Sequence, residues 1–431
     1  MQIAFHRLTV FLAVAATIMT SDLFADDAPA SSAKKPSDAA PSYIVGPELR
    51  KVPIEEIERA YEGKTVPEAM RMYLTIVRGG RMGGSDGWFG PAQARYDWKW
   101  LAERHGVAVD RAIAADQFRG TAEWFQRLDR NQDGKIAEED LDWSERNPWV
   151  QNAYLVNRLF RKLDANGDGE LSREEWLKFF DTASEDNQGL TSEELRDAWL
   201  KGMTANFLPG DAPTQEMLLQ GLFTGEVGSL QEGPPLDGPA PDFSLKTHDG
   251  QKSVRLSEVI GKKPVVLMFG NFTCSPFRSI SPGVEKIHQR FKDEAVFLGV
   301  YVREAHPTDG WKMESNARVG VSIAQPKTYI EREAVARQCH QLLKPTFPLL
   351  VDDIDDSTGN AYSGMPARLY VIDTDGRVAY KAGRGPFGFK PGEMEQALLM
   401  TLLDGKTRGE PLKSAVNNNS DSSAPLKKPT P

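Results

Sequence analysis

The sequence predicts a multidomain protein, an all-α amino-terminal array followed by a carboxy-terminal α/β fold with a central mixed β-sheet flanked by helices. Three observations predict it. At 431 residues the chain exceeds what one hydrophobic core usually organises. Eight of its nine tryptophans precede residue 200, among segments of helical periodicity. From Pro241 onward, apolar runs of strand length alternate with helical segments, the signature of an α/β layer.

The composition, 40% hydrophobic and 26% charged, is that of a soluble globular chain. With 52 Lys+Arg against 61 Asp+Glu the net charge is -9, which excludes a dedicated nucleic-acid binder because phosphate requires clustered cations. Two cysteines are too few for a disulfide framework or a thiolate zinc module. His6 and Arg7 precede an apolar run from Leu8 to Met19, and a small-residue stop follows at Ala25. That order predicts a signal peptide over 1–25, with no transmembrane span after its removal and a secreted or periplasmic location. The run is shorter than the ~20 residues of a membrane-crossing helix. Residues 26–42 and 414–431, rich in Ala, Ser, Pro, Lys and Asn, predict a disordered linker and tail. Gly and Pro recur over 225–238, which predicts the linker between the folded halves.

Residues 43–105 read as helical, with an aromatic cluster at Trp88, Phe89, Tyr96, Trp98 and Trp100 that is expected to pack on the array behind it. Residues 121–200 then carry 19 acidic against 10 basic residues. Within them, Asp129, Asn131, Asp133 and Asp140 place oxygen donors at positions 1, 3, 5 and 12 of a twelve-residue loop. Gly134 allows the turn at position 6, the Lys135 carbonyl serves position 7, and Ile136 is the apolar residue at 8. A second loop repeats the pattern with Asp164, Asn166, Asp168, Glu170 at position 7, and Glu175. Alternate side chains thereby converge on a hard cation, the arrangement of the EF-hand family, and calcium is the expected ligand. Helical spacing of Trp124, Phe125 and Leu128, of Val156, Leu159, Phe160 and Leu163, and of Trp176, Leu177 and Phe180 supplies the flanking helices. The loops are expected to pair through Ile136 and Leu171. Asp140 is one methylene shorter than Glu175, so magnesium is expected to compete at the first loop. Degenerate relatives at 106–117 and 183–194 complete a four-motif array over 106–205.

In the second half, Val265–Phe269 reads as a buried strand, with Cys274 in the turn after it and Pro276 where a helix begins. Amide dipoles at a helix start stabilise a thiolate, so Cys274 is the candidate nucleophile, with a lowered pKa expected. A second run, Val296–Val302, ends just before Glu304 and His306. If the two strands are parallel neighbours, Cys274 and His306 leave the sheet at one edge, where ligands of open α/β sheets bind. Pro366 reaches that edge if the strand Arg368–Ile372 runs antiparallel, and a cis bond is plausible there. Cys339 lies on an apolar helix face with Val335, Leu342 and Leu343. It is a buried structural thiol, a resolving thiol, or the partner of Cys274 in a static disulfide.

The string Phe269-Gly270-Asn271-Phe272-Thr273-Cys274-Ser275-Pro276-Phe277, then Glu304-Ala305-His306-Pro307-Thr308-Asp309-Gly310-Trp311, then Gly383-Arg384-Gly385-Pro386-Phe387-Gly388-Phe389, resembles the iodothyronine deiodinase family over about residues 238–405. The resemblance implies a thioredoxin-like fold, here 239–405, a nucleophile at Cys274 where the family has selenocysteine, and proton supply and substrate binding at Glu304 and His306. Cysteine is the harder nucleophile, Phe272 stands where the family often has an auxiliary cysteine, and Gln325-Pro326 falls where a second histidine would be sought. The expected function is that of an exported calcium-binding, thiol-dependent oxidoreductase. Its substrate would be a small halogenated aromatic, a peroxide or a disulfide, attacked by Cys274, and an external thiol would be the reductant. The alternative is a non-catalytic calcium-binding interaction module on a thioredoxin-like scaffold.

Overall fold

A computed structural model describes residues 43–80, 91–186, 188–201 and 211–407. The expected signal peptide, the expected disordered linker and tail, Trp88, Phe89 and Asn187 lie outside the described residues. Among the described residues, ten strands occur in chain order: β1 (Gln93–Ala94), β2 (Ile113–Ala114), β3 (Lys135–Ile136), β4 (Ser244–Thr247), β5 (Ser253–Arg255), β6 (Val265–Gly270), β7 (Val296–Tyr301), β8 (Leu349–Val351), β9 (Arg368–Ile372) and β10 (Val378–Lys381). Eight of them form one mixed sheet in the order β1-β10-β9-β6-β7-β8-β4-β5.

The sheet's centre follows from apolar content. Every residue of β6 and of β9 is buried, as continuous Val/Leu/Ile-rich runs covered on both faces by helices require. β6 pairs parallel with β7, and β7 with β8, whereas β9 runs antiparallel to β6. The helices Ser275–Phe291, Tyr329–Leu343 and Pro391–Thr407 flank this core in a thioredoxin-like arrangement. Both sequence conditions on the site are met, since the strands that end before Cys274 and His306 are parallel neighbours and Met365–Pro366 is a cis bond ahead of an antiparallel β9.

Two boundaries differ from expectation. β1, in the aromatic-rich stretch, adds an edge strand to the main sheet by pairing with β10, and Glu68 of the helix Glu68–Val77 is buried against Arg368 and Arg384. Backbone pairing and charge pairing both act across long sequence separations, so local composition could not report them. Residues 225–238 are likewise docked rather than a free linker. Asp237 N–H donates to the Val378 carbonyl at 2.9 Å, Glu232 accepts from Glu68 N–H at 2.7 Å, and Arg384 donates to the Gln231 carbonyl at 3.3 Å.

The helical array also pairs differently from expectation. Ile136 faces Ile113, not Leu171: β2 and β3 form a two-stranded ladder with both isoleucines buried. The degenerate loop 106–117 is therefore the partner of 129–140. It lacks the ligand set of 129–140 but carries Ile113, the residue that makes the ladder. The sixteen-residue helix Pro148–Leu163 separates the next loop from this pair. The first pair docks on the helix Pro391–Thr407, where Trp143 donates to Gln396 at 2.8 Å and Gln396 donates to the Asp140 carbonyl at 2.9 Å. Further along, Lys162 caps the helix Ser192–Leu200, donating to the carbonyls of Ala198, Trp199 and Lys201 at 2.5, 2.7 and 3.0 Å.

Candidate functional site

The helix Ser275–Phe291 starts immediately after Cys274, which serves as its N-cap, and Pro276 lies in the first turn. Asn271, fully buried at the end of β6, organises the turn. Its Oδ1 accepts from Cys274 N–H at 3.0 Å, from Thr273 Oγ1–H at 3.2 Å and from Ala305 N–H at 3.2 Å, while its Nδ2 donates to the Pro366 carbonyl at 3.0 Å. One amide thus ties the cysteine turn, the Glu304–His306 segment and the cis-proline loop together. Asn271→Ala is expected to cost about 2–3 kcal/mol in unfolding free energy, because it strands several buried donors and one acceptor. A loss below about 0.5 kcal/mol in a denaturant titration would refute that role.

Thr273 makes the second tie. Its N–H donates to Glu304 Oε2 at 2.9 Å, and its Oγ1 accepts from His306 N–H at 3.0 Å. Glu304 is 3% exposed and also accepts from the Tyr301 hydroxyl, which in turn accepts from Phe272 N–H at 3.1 Å. Burial pushes the Glu304 carboxyl up, against the opposing effect of the Tyr301 and Thr273 hydrogen bonds. Gln325 Oε1 accepts from Glu304 N–H at 3.1 Å, so the residue noted in place of a second histidine holds the backbone of the carboxylate.

His306 is half-buried, with its Nδ1 3.1 Å from the Trp311 carbonyl and its ring edge-on to the indole of Trp311 at 4.6 Å. Burial lowers its pKa to about 4, so the ring is neutral at pH 7. The carbonyl contact assigns the proton to Nδ1 and leaves Nε2 with the lone pair of a base.

Arg278, one turn into the helix and 2% exposed, donates to the Phe272 carbonyl and, at 2.8 Å, to Asn316 Oδ1. Asn316 Nδ2 donates to the Thr273 carbonyl at 2.8 Å. Arg278 is the cation beside the thiol. Against it stands burial: Cys274 is 1% exposed, and its pKa is pushed up to about 11 despite the Phe277 N–H and Arg278. The lowered pKa expected from the helix start is not found, because desolvation of an anion exceeds what one helix terminus and one cation return. Both cysteines are free thiols, so the static disulfide does not form. Burial also pushes the thiol of Cys339 upward, as expected of a structural cysteine.

The loops 129–140 and 164–175 carry their ligand residues as oxygen-rich turns. Asp129 accepts from Asp133 and Gly134 N–H at 3.1 and 2.9 Å, Asn131 Oδ1 from Asp133 N–H at 3.0 Å, Asp133 from Lys135 N–H at 3.0 Å, and Asp140 from Arg130 and Ala137 N–H, both at 2.9 Å. In the second loop Asp164 accepts from Gly167 and Gly169 N–H, Asn166 from Asp168 N–H, and Asp168 from Glu170 N–H, while Glu175 spans from Ala165 and Asn166 to Ser172. Gly134 and Gly169, both at position 6, take φ of +84° and +81°. Burial pushes Asp140 and Asp164 up, with the neighbouring carboxylates adding to the rise. Crowded, partly desolvated carboxylates on a preformed turn fit a hard divalent cation, which would relieve their repulsion. Among the described residues, no three His, Cys, Asp or Glu side chains converge closely enough to define a metal site outright.

Asn271, Thr273, Tyr301, Arg278 and Asn316 were not singled out from sequence. Arg278 had a signal, since a cation at i+4 from a helix-start cysteine shares its face. Asn316 had none, because its contact spans 38 residues or more.

Fold and site together define a thioredoxin-fold protein with a single buried thiol at a helix start, preceded by EF-hand loops. The comparisons agree. The iodothyronine deiodinase family model matches residues 218–401, beginning upstream of the expected boundary at 239, and the EF hand model matches 121–141 and 156–180. Thyroxine 5-deiodinase of Gallus gallus is 34% identical over 177 residues, which are 41% of this chain and 67% of that protein. The Rattus norvegicus protein of the same name is 34% identical over 158 residues, 36% of this chain and 50% of that one. An uncharacterized conserved protein of Geobacillus kaustophilus of known structure aligns at TM-score 0.30 and 22% identity, over 40% of this chain and 83% of that one. The chain belongs to the iodothyronine deiodinase family. It spans about half the length of the rat relative and two thirds of the chicken one.

That membership corrects the secreted or periplasmic location read from the amino end, since the deiodinase relatives are membrane-anchored rather than secreted. Among the described residues, no helix is long and apolar enough to cross a membrane.

Proposed function

We propose that the protein is a thiol-dependent reductive dehalogenase of small aromatic halides that also binds calcium in its EF-hand loops. The observation that supports the reading is the shared anchoring of the Cys274 turn and the Glu304–His306 segment through Asn271 and Thr273. The Cys274 thiolate takes iodine from a ring carbon, forming a sulfenyl iodide, and the carbon takes a proton from the Glu304–His306 side of the site. An external thiol displaces iodide to give a mixed disulfide. A second thiol equivalent then releases Cys274 and leaves with the oxidised reductant. The Cys274 thiol gives up its proton to solvent before attack, and neutral His306, with Nε2 free of a proton, is an acceptor for a substrate hydroxyl. Thyroxine 5-deiodinase activity, by which the relatives are named, makes an iodinated phenol the first substrate to test. Iodide release from such a phenol with dithiothreitol is the assay, alongside peroxide and disulfide substrates.

A second reading, a non-catalytic calcium-binding interaction module, has the burial of Cys274 in its favour. No release of iodide and no thiol consumption with any of the three substrate classes would establish it over the first.

Calcium is the ion proposed for both loops, with the second tighter because Glu175 reaches as a bidentate ligand, and magnesium competing at Asp140. When bound, the ion would be held by Asp129, Asn131, Asp133, the Lys135 carbonyl and Asp140, or by Asp164, Asn166, Asp168, the Glu170 carbonyl and Glu175. It would stiffen the loop. Glu175→Gln is expected to weaken the tighter site by about tenfold or more in isothermal titration. An unchanged affinity would remove Glu175 from the ligand set.

A further inference from the structure

We propose that a cation in the loop Asp164–Glu175 controls how tightly the Cys274 site is closed, so that calcium occupancy regulates the reactivity of the thiol. The functional meaning of this regulation rests on the thiol reading above, but the coupling itself is carried by how the loop sits in the fold. Gly169 lies directly on the helix Ser275–Phe291: a Cβ at that position would stand 2.6 Å from the Arg278 carbonyl oxygen and 2.7 Å from Pro282 Cγ. Gly167 makes a second contact, since a Cβ there would lie 3.2 Å from Val319 Cβ. Such close approach of one backbone to another element is what glycine permits. The calcium loop therefore touches the site's support at two points without an intervening side chain of its own.

Those two points are joined behind the thiol. Arg278 donates to the Phe272 carbonyl and to Asn316, and Asn316 donates to the Thr273 carbonyl. Val319 follows Asn316 by three residues, and its N–H donates to the Asn316 carbonyl at 3.2 Å. The path from loop to sulfur runs through Arg278 on one side and Val319 with Asn316 on the other, and the branches end on the carbonyls of Phe272 and Thr273, the two residues before Cys274.

The same two glycines are held from inside the loop. Their amides donate to the Asp164 carboxylate at 2.7 and 3.1 Å. A cation bound through Asp164, Asn166, Asp168 and Glu175 fixes both glycine contacts at once. Without it, the carboxylates of Asp164, Asp168 and Glu175 repel one another across the loop and loosen its seat on Arg278 and Val319. Access to a thiol that is 1% exposed requires local opening, and loosening the loop's seat on Arg278 and Val319 would favour it. Coupling between two sites is reciprocal, so whatever opens the thiol site also weakens the cation.

The test uses the full chain and peptide-resolved mass spectrometry, which separates Cys274 from Cys339. Carbamidomethylation of Cys274 by iodoacetamide is timed at fixed pH in chelator and in saturating calcium, with binding followed in parallel by calorimetry. Calcium is expected to slow the reaction about 5- to 150-fold, the range of ordinary allosteric coupling, and Glu175→Gln to remove most of that response. Protein carbamidomethylated at Cys274 is expected to bind calcium at the second loop more weakly by a comparable factor. Equal alkylation rates with calcium demonstrably bound would overturn the inference and leave the thiol reading standing. Calcium protection in a protein without turnover would sustain the inference and remove the thiol reading. Absence of calcium binding would overturn it together with the calcium assignment.

Discussion

Turnover of an iodinated phenol with a dithiol reductant is expected to fall at least about 10³-fold in Cys274→Ser and, in the unsubstituted protein, to climb about tenfold per pH unit between pH 7 and pH 10. Serine keeps the size of the side chain but not a group that can ionise in this range. The pH dependence follows from burial. With the thiol pushed up to about 11, thiolate is a minor species throughout the window, and its fraction grows tenfold with each unit. His306 adds no break above about pH 5, because its own pKa is lowered to about 4. The sign for stability follows from the same shift. The folded thiol holds its proton more tightly than a free cysteine at 9.0, so its contribution is complete below pH 9 and is lost as pH rises through 11. A rate that levels off near pH 7 would mean that substrate or a local opening brings the thiol pKa down.

Glu68→Gln is expected to lower the unfolding free energy by about 3–5 kcal/mol, the cost of breaking a buried ion pair from one side. Glu68 lies 3.4 Å from Arg368 and 3.3 Å from Arg384, with side-chain exposures of 6%, 4% and 0%. Neutralising the carboxylate leaves two buried guanidinium groups facing each other with no anion between them. Burial raises the Glu68 pKa, but Arg384, Arg368 and Lys381 overcome that and hold it below 4.5. A depressed carboxylate pKa contributes stability that is present above the unfolded value and lost as pH falls through the folded one. The stability difference between the unsubstituted protein and the Glu68→Gln variant should therefore shrink in acid. Urea titrations at pH 7 and pH 3 measure both effects. A loss under about 1 kcal/mol at pH 7 would show that the helix Glu68–Val77 contributes little to the fold of the sheet it covers.

The consequence of the Glu68 cluster extends to how the chain is divided. Arg384 belongs to one of the strings that resemble the family, yet its buried counter-ion comes from a segment more than 300 residues earlier that carries none of the family's motifs. The docked segment 225–238 contributes to the same cluster, through the carbonyls of Glu232 and Gln231. A truncation at residue 239 would remove the anion and these acceptors together.

What could be read without coordinates was whatever depends on neighbours within about a dozen residues. The twelve-residue loops were legible because each ligand position and the position-6 glycine answer to one local turn. The Cys274 turn was legible because a buried strand, a proline and a helix start follow one another in the chain. The parallel pairing of β6 with β7 could be posed as a condition but not settled.

The tertiary structure decided the rest through long-range terms. Ile136 had two apolar partners available, and the register of the array chose Ile113. The sign of the Cys274 pKa shift turned on how completely other segments exclude water, a quantity with no trace in the residues around the cysteine. The seat of Gly169 on Arg278 and Pro282 belongs to the same class, since two backbones more than 100 residues apart meet only after the whole array has docked. Local turns and dipoles are short-ranged and sequence-encoded, whereas desolvation, charge pairing and register are properties of what is brought around them.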